Sequence, residues 1–512
     1  GTEAVSSTYT SSGGSRTSFF SEDVNYMYLS VGEANQTNSG SGSQVKWMSY
    51  FGRLNYDYKD KYLFEATLRR DGSSRFGANS RWGTFPAFSA AWRISQENFM
   101  ANTSNIINDL KIRAGWGQSG NDEVGNYNGF STFSSDITNA SYPITGSTKT
   151  PTVGFYATTF GNPDAKWETT TTTNIGLDIA VLKNTLSATI DVWQRKTSDM
   201  LYRVSIPMVN GAASAPSVNI GDMNNKGIDL NIDYRNKALG GDLTYNVGLT
   251  LSRYKNEIEK ISGKETEYIS GSAFRYMVYT RAQAGSAYPE FYGLICDGIF
   301  QTNEEAQAYY PEYGGAYNIA GHFKYRDLNG DEVINDKDRT YIGSPHPKFT
   351  AGLNADVSYK NFTLSAFFYS RYGNKIANYL RRFYDFTQFS GQRSKLRLYK
   401  SWGSPYLEDN KDAEMPLADQ STYSMYPSTY FLEDGSFLRL RTLQLSYTLP
   451  RTWSQKLTLS RMEAYVQASN LFTLTKYNGL DPEISVGGID AGVDASQWPN
   501  TRQVVFGIRL DI

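Results

Sequence analysis

Hydrophobic and polar positions alternate along much of this chain, the spacing at which successive side chains of a β-strand point to opposite faces. In "NIGLDIAV", Ile175, Leu177, Ile179 and Val181 share one face and Asn174, Gly176 and Asp178 the other. "GIDLNIDYR" sets Ile228, Leu230, Ile232 and Tyr234 against Asp229, Asn231, Asp233 and Arg235. The pattern returns in "KFTAGLNADVSYKN" from Phe349 to Tyr359, and in "QVVFGIRLDI" from Val504 to Ile512. One run breaks step. In "FLRLRTLQLSY" the phase shifts between Leu440 and Leu443, which predicts a β-bulge. About 14 strands can be counted, from near Tyr26 to Ile512, and many runs reach about 10 to 15 residues. Strands of a soluble sandwich usually have about 5–6 residues, whereas one crossing a bilayer needs about 9–11.

The connections sort by length. Those at Lys59 to Lys61, Leu182 to Asn184, Asn236 to Gly241 and Lys360 with Asn361 are short. Those near 119–165, 262–346, 377–434 and 475–501 are long. Short turns on one rim and long loops on the other mark an outer-membrane barrel. A sandwich has no reason to sort its loops by parity. The expected fold is therefore all-β, an antiparallel transmembrane β-barrel with long extracellular loops. No run of about 18 apolar residues is present, so no transmembrane helix is predicted, and a barrel needs none.

Composition narrows the function. Aromatics at 14%, with 38 Tyr and 9 Trp beside 45 Gly, favour strands and turns over helices. A net charge of −1 gives no basis for binding nucleic acid. The lone Cys296 excludes an intramolecular disulfide framework and a cysteine-rich metal site. With only His322 and His346, a histidine-based catalytic or zinc constellation is not expected. A glycoside hydrolase would need two carboxylates on a concave face. No local pattern selects such a pair, so no catalytic residue is assigned and an enzyme is not expected.

One stretch does carry ligand spacing. In "DLNGDEVINDKD", Asp327, Asn329, Asp331, Asn335 and Asp338 fall at positions one, three, five, nine and twelve of a calcium loop, with the carbonyl of Val333 at position seven. Glu332 replaces the usual Gly at position six, and Asp338 replaces the usual Glu at position twelve. No helices are predicted to flank the loop, so a sensor is not expected. A structural Ca2+ bracing the 262–346 loop is the metal reading; Asp, Asn and Gly also form turns with no metal at all. Elsewhere, "DGSSRFG" places Arg75 within reach of Asp71 across a tight turn. "NEEAQAYYPEY" predicts a short helix opened by Asn303, with Tyr309, Tyr310 and Tyr313 available for sugar rings or for burial. Trp47, Trp82, Trp92 and Trp193 are expected in aromatic girdles at the membrane interfaces.

Several longer words resemble a known family. "YDYKDKYLFEATLRRDGSSRFG" (Tyr56 to Gly77), "FPAFSAAWRISQENFM" (Phe85 to Met100) and "INDLKIRAGWGQSGN" (Ile107 to Asn121) resemble SusC-like (RagA-like) TonB-dependent transporters. So do "YRDLNGDEVINDKDRTYIGSPHPKFTAGL" (Tyr325 to Leu353), "FLRLRTLQLSYTLP" (Phe437 to Pro450) and "YVQASNLFTLTKYNGLDPE" (Tyr465 to Glu483). The resemblance implies that residues 1–512 are the C-terminal part of a 22-strand barrel, with the plug and N-terminal strands not in this chain. It implies a multi-pass protein in the outer membrane of a Gram-negative, Bacteroidetes-like bacterium, facing outer-membrane lipid. It further implies active import of oligosaccharides or peptides. The implied partners are a SusD-like surface lipoprotein as lid, an upstream plug and barrel segment, and TonB acting through the plug. A surface glycan-binding β protein without transport and a simple diffusion porin are the competing readings.

Overall fold

The computed structural model of the chain describes residues 1–511 apart from 136, 145, 147–150, 204–208, 210, 212, 262–266, 310–317, 389–390, 392 and 420–424. Fourteen strands make one sheet: β1 (Thr2–Thr17), β2 (Ala34–Tyr58), β3 (Tyr62–Ser73), β4 (Trp82–Arg93), β5 (Ile107–Asn121), β6 (Glu168–Val181) and β7 (Leu186–Arg203), then β8 (Ser217–Ala238), β9 (Leu243–Ile261), β10 (Phe349–Tyr359), β11 (Phe362–Tyr372), β12 (Phe437–Thr448), β13 (Arg461–Thr475) and β14 (Gln503–Asp511). Each is bonded to the strands before and after it in the sequence, an unbroken meander with β1 and β14 at its two ends. The shortest has 9 residues and the longest 25, enough to cross an apolar layer. Among the described residues no helix is long and apolar enough to do so.

Alternation explains the two faces. In β11, Phe362, Leu364 and Tyr372 are exposed, while Thr363, Ser365, Tyr369 and Arg371 take the opposite face. In β14, Val504, Phe506, Ile508 and Leu510 are exposed in a row. Continuous apolar rows of this kind suit contact with lipid rather than with water. Ile512 lies outside the described residues.

The longest connections sort as the sequence implies, while 94–106 and 449–460 on the other rim exceed 74–81. The connections at 18–33, 74–81, 122–167, 204–216, 262–348, 373–436 and 476–502 alternate along the chain with those at 59–61, 94–106, 182–185, 239–242, 360–361 and 449–460. Two boundaries are corrected. The first strand begins at Thr2, and Tyr26 sits in a 3₁₀ turn, Val24–Tyr26, between β1 and β2. The segment "TEAVSSTYTSSGGSRT" has no apolar alternation, so periodicity cannot find it; it is held by backbone pairing to β2, from Thr2 opposite Tyr50 to Ser15 opposite Thr37. Asn236 and Lys237 belong to β8, and the turn begins at Leu239. The predicted bulge is present. Phe367 faces Thr442 while Phe368 faces Leu440, leaving Arg441 as the extra residue.

Contacts divide the chain into two compact units. The first comprises 1–91, 114–173 and 195–223, and its small core packs Trp167 against Phe76 and Phe85 at centroid distances of 5.3 and 5.5 Å. Gly120 makes room for this core, because a Cβ there would lie 2.1 Å from Cζ of Phe85. The second unit comprises 92–113, 174–194 and 224–512. In it the loops at 262–348, 373–436 and 476–502 fold on one another around a dense aromatic core. Met277, Tyr279, Phe291, Phe300, Phe323, Tyr325, Phe431 and Val493 are all buried there.

Candidate ligand-facing site

The polar face of the second unit carries ordered charge. Arg113 of β5 donates through Nε to Asp178 of β6 at 2.9 Å and through Nη2 to Asp191 of β7 at 3.1 Å, and Lys111 reaches Asp178 at 2.8 Å. Gly176 permits this arrangement, since a Cβ there would meet the Arg113 guanidinium at 2.6 Å. Asp229 accepts from Trp193 Nε1 at 2.7 Å and from Ser252 Oγ at 2.5 Å. Trp193 therefore stands on the polar face, not in a girdle. In the first unit Trp47 does the same, donating to Asp122 at 2.7 Å. Trp82 and Trp92 are exposed; Trp82 stacks on Tyr50, and Trp92 donates to Glu97 at 3.1 Å. A Trp indole has an apolar body and a polar edge, so it can serve either face.

Above this wall, at the loop ends of β9, β10 and β11, two cavities adjoin. The larger, about 620 Å³, is lined in part by Arg253, Asn256, Glu290 and Lys348. The smaller, about 320 Å³, is lined in part by Tyr369, Arg371, Asn374 and Ile484. Tyr254, His346 and Pro347 line both. His346 has a definite tautomer. Its Nε2 lies 3.0 Å from the carbonyl of Tyr288, which can only accept, so Nε2 carries the proton. Nδ1 then accepts from the Tyr254 hydroxyl at 3.1 Å. Burial holds the imidazole below its ordinary value, against the pull of the Tyr288 and Pro289 carbonyls, so it is neutral at pH 7.

Beside the smaller cavity the bulged strand supports an ion network. Arg439 pairs with Asp481 at 2.5 Å and Glu483 at 2.8 Å, and Arg441 also pairs with Glu483. Burial would raise the Asp481 carboxyl, but the amides of Glu483 and Asn500 and the Arg439 guanidinium outweigh it and hold it below the usual carboxylate range. Arg441 lies 4.3 Å from the Tyr369 ring centroid, and the Tyr369 hydroxyl accepts from Arg371 Nε at 3.1 Å.

Among the described residues, those of the 327–338 loop, of "DGSSRFG" and of "NEEAQAYYPEY" line neither cavity. Asp327 accepts from the amides of Gly330 and Glu332, both at 2.7 Å, and Asp338 from those of Leu328 and Asn335 at 3.0 and 2.8 Å. Asp331 accepts from Val333 at 3.1 Å. The amide nitrogens of Asn329 and Asn335 point at Asp331 and at the Val333 carbonyl. Ile334, inside the loop, is buried in the aromatic core. Among the described residues no group of three or more His, Cys, Asp or Glu is gathered as a metal site. The two sequence expectations for polar turns shift partners. Arg75 pairs with Asp122 at 3.4 Å, while Asp71 is taken by Arg69 at 2.7 Å. The reason is alternation: Arg69 and Asp71 share a face of β3, and Arg75 lies beyond the strand's end. The helix Asn303–Tyr309 is present, but its first turn is capped by Thr302, whose hydroxyl accepts from Glu305 at 3.1 Å. Tyr309 packs on Phe300 and under Lys324; Tyr310 and Tyr313 lie outside the described residues. Burial pushes the Cys296 thiol up to about 12, so it stays protonated and unreactive.

The family described as "TonB dependent receptor-like, beta-barrel" matches residues 4–471. The chain belongs to that family. Among its relatives, this barrel chain is 32% identical over 509 residues to the TonB-dependent receptor P3 of Formosa agariphila, covering 96% of this chain and 48% of that protein. It is 31% identical over 476 residues to the TonB-dependent receptor SusC of Bacteroides thetaiotaomicron, covering 90% of this chain and 43% of that one. Among solved structures it is similar to the RagAB peptide transporter, with a TM-score of 0.82 at 28% identity, over 99% of this chain and 52% of that one. It is thus a SusC/RagA-type TonB-dependent receptor barrel of the outer membrane, as the quoted words of sequence implied. The chain spans about half the length of the relatives it matches.

Proposed function

We propose that this chain is the C-terminal wall and loop portion of a transporter that imports oligosaccharides or peptides across the outer membrane, driven by TonB. The observation that carries the reading is the meander of 14 membrane-length strands with its longest connections, 122–167, 262–348, 373–436 and 476–502, all at alternate positions, in a chain of this family. Strands β1 and β14 end the sheet, and unpaired backbone groups in lipid cost several kcal/mol each. An upstream segment carrying the plug and further strands is the partner that would cover them. TonB would act through that plug. The loops at 262–348, 373–436 and 476–502 would dock a SusD-like lipoprotein as lid. Oligosaccharide is the cargo that the family resemblance implies; peptide is supported by the peptide transporter among its structural neighbours.

Uptake of labelled oligosaccharides and peptides in cells with and without TonB tests this. Uptake is expected to stop without TonB, and the upstream segment and a lipoprotein are expected to copurify in detergent. Uptake that persists without TonB would mean a diffusion porin, and a chain soluble without detergent would mean a glycan-binding surface protein. For the 327–338 loop we propose a structural divalent cation at Asp327, Asn329, Asp331, Val333, Asn335 and Asp338, on the spacing of these oxygens. Calcium is then expected to slow hydrogen exchange across 327–338, and a chelator to reverse this. No change with either would leave the loop as a hydrogen-bonded turn.

A further inference from the structure

The smaller cavity has one charged lining group. Among its residues are Tyr254, His346, Tyr369, Asn374 and three prolines, but no Asp or Glu; the single charge is Arg371. The arginines nearby are neutralised, since Arg439 and Arg441 share Asp481 and Glu483. Arg371 is not. Its register partners on the two adjoining strands are Thr350 and Phe437, neither of which carries charge. Its side-chain hydrogen bond is the one it donates to the Tyr369 hydroxyl, and no carboxylate pairs with it among the described residues. Arg371 is half-buried, where an unmatched charge is costly and a bound counter-charge correspondingly favourable. The adjoining larger cavity is also basic, with Lys226, Arg253, Lys255 and Lys348 against Glu257 and Glu290. Both contrast with the net charge of −1 of the whole chain. The neutral His346 adds no competing charge, and Pro345, Pro347 and Pro482 give an apolar floor.

We propose that this cavity is a subsite for a carboxylate on the transported ligand, with Arg371 as its counter-charge. The inference rests on the import reading above and specifies it. The fork of a guanidinium matches a carboxylate, and one bound carboxylate would sit between Arg371 and the Tyr369 hydroxyl, which accepts from Arg371 Nε and keeps its own proton to donate. Such a group can come from the C-terminus of a peptide or from a uronic acid unit of an oligosaccharide.

Binding to the complete transporter in detergent, measured by calorimetry, distinguishes the sources. The probes are a tetrapeptide with a free C-terminus beside its C-terminal amide, and tetragalacturonate beside its methyl ester. In the wild type one of the two acids is expected to bind at least about tenfold more tightly than its neutral derivative, as a charge-assisted hydrogen bond gives. Arg371→Gln is expected to abolish that preference, and Arg371→Lys, which keeps the charge but lacks the fork, to keep only part of it. Which acid is preferred names the source. Equal binding of acid and derivative by the wild type, failure of both acids to bind, or a preference unchanged in Arg371→Gln would overturn the subsite. The acid-against-derivative comparison on the wild type stands even if a variant fails to assemble. Loss of the import reading is separate: it shows as uptake without TonB, whatever the calorimetry gives.

Discussion

The wall strands and the loop body of the second unit solve opposite problems with the same residue types. In the wall, Phe, Leu, Val and Tyr are exposed in rows along one face of strands such as β10, β11 and β14. In the loop body the same side chains are fully buried and touch one another: Phe431 packs edge-on against Tyr279 and Tyr430 and stacks on Phe386, with centroids 5.3 to 5.9 Å away. Lipid is the apolar phase for the first set, so the strands need no core of their own. The loops stand in water and must build one, which their aromatic content allows. The wall is held by neighbour-to-neighbour pairing along the sequence, whereas the loop body joins segments from three separate connections.

That contrast can be broken from either side. Phe431→Ala removes a fully buried ring and should cost the loop body about 3–5 kcal/mol. Limited proteolysis within 373–436 should accelerate, while the heat-modifiable gel mobility of the assembled barrel stays unchanged; loss of that mobility would mean the two regions are not independent. Leu353→Arg acts on the other region. Leu353 lies at the centre of β10 between Leu249 and Phe368 and shares the phase of the exposed Phe349 and Val357. A charge there should cost about 2–4 kcal/mol at the bilayer midplane, read as a lower fraction of assembled protein in lipid. The same change in a water-facing loop would cost little.

The smallest effect sharpens the junction between them. Asp481 joins the 476–502 loop to Arg439 of β12, and its carboxyl is held below the usual range. A depressed folded-state value gives stability that is complete above the unfolded value of about 4 and is lost as pH falls through the lower folded value. Hydrogen exchange across 476–502 should therefore rise only below about pH 4, and Asp481→Asn should flatten that dependence. A rise near neutral pH would point to a different group.

The two regions also differ in how much the sequence discloses. Runs such as Asn174 to Val181 and Phe349–Tyr359 can be read directly, because lipid on one side and a polar passage on the other impose alternation. The bulge at Arg441 shows as a phase shift for the same reason. β1 escapes, since a strand of Ser, Thr and Gly satisfies its backbone without patterning its side chains. Trp47 and Trp193 mislead because an indole serves either face, and only the positions of Asp122 and Asp229 settle the matter. The pairing of Arg75 fails similarly: its partner is 47 residues away, not 4.

The cavity at Arg371 has only a faint signal in the chain: an arginine at an inward position near the end of a strand, with no acid two residues away. What makes it a site is the register that sets Thr350 and Phe437 beside it, and the folding of residues 482–492 across it. Period, length and loop parity are local properties, written into the sequence because each strand meets the same two solvents. Which charges are neutralised and which left open depends on side chains brought together from distant loops, and no local pattern encodes that meeting.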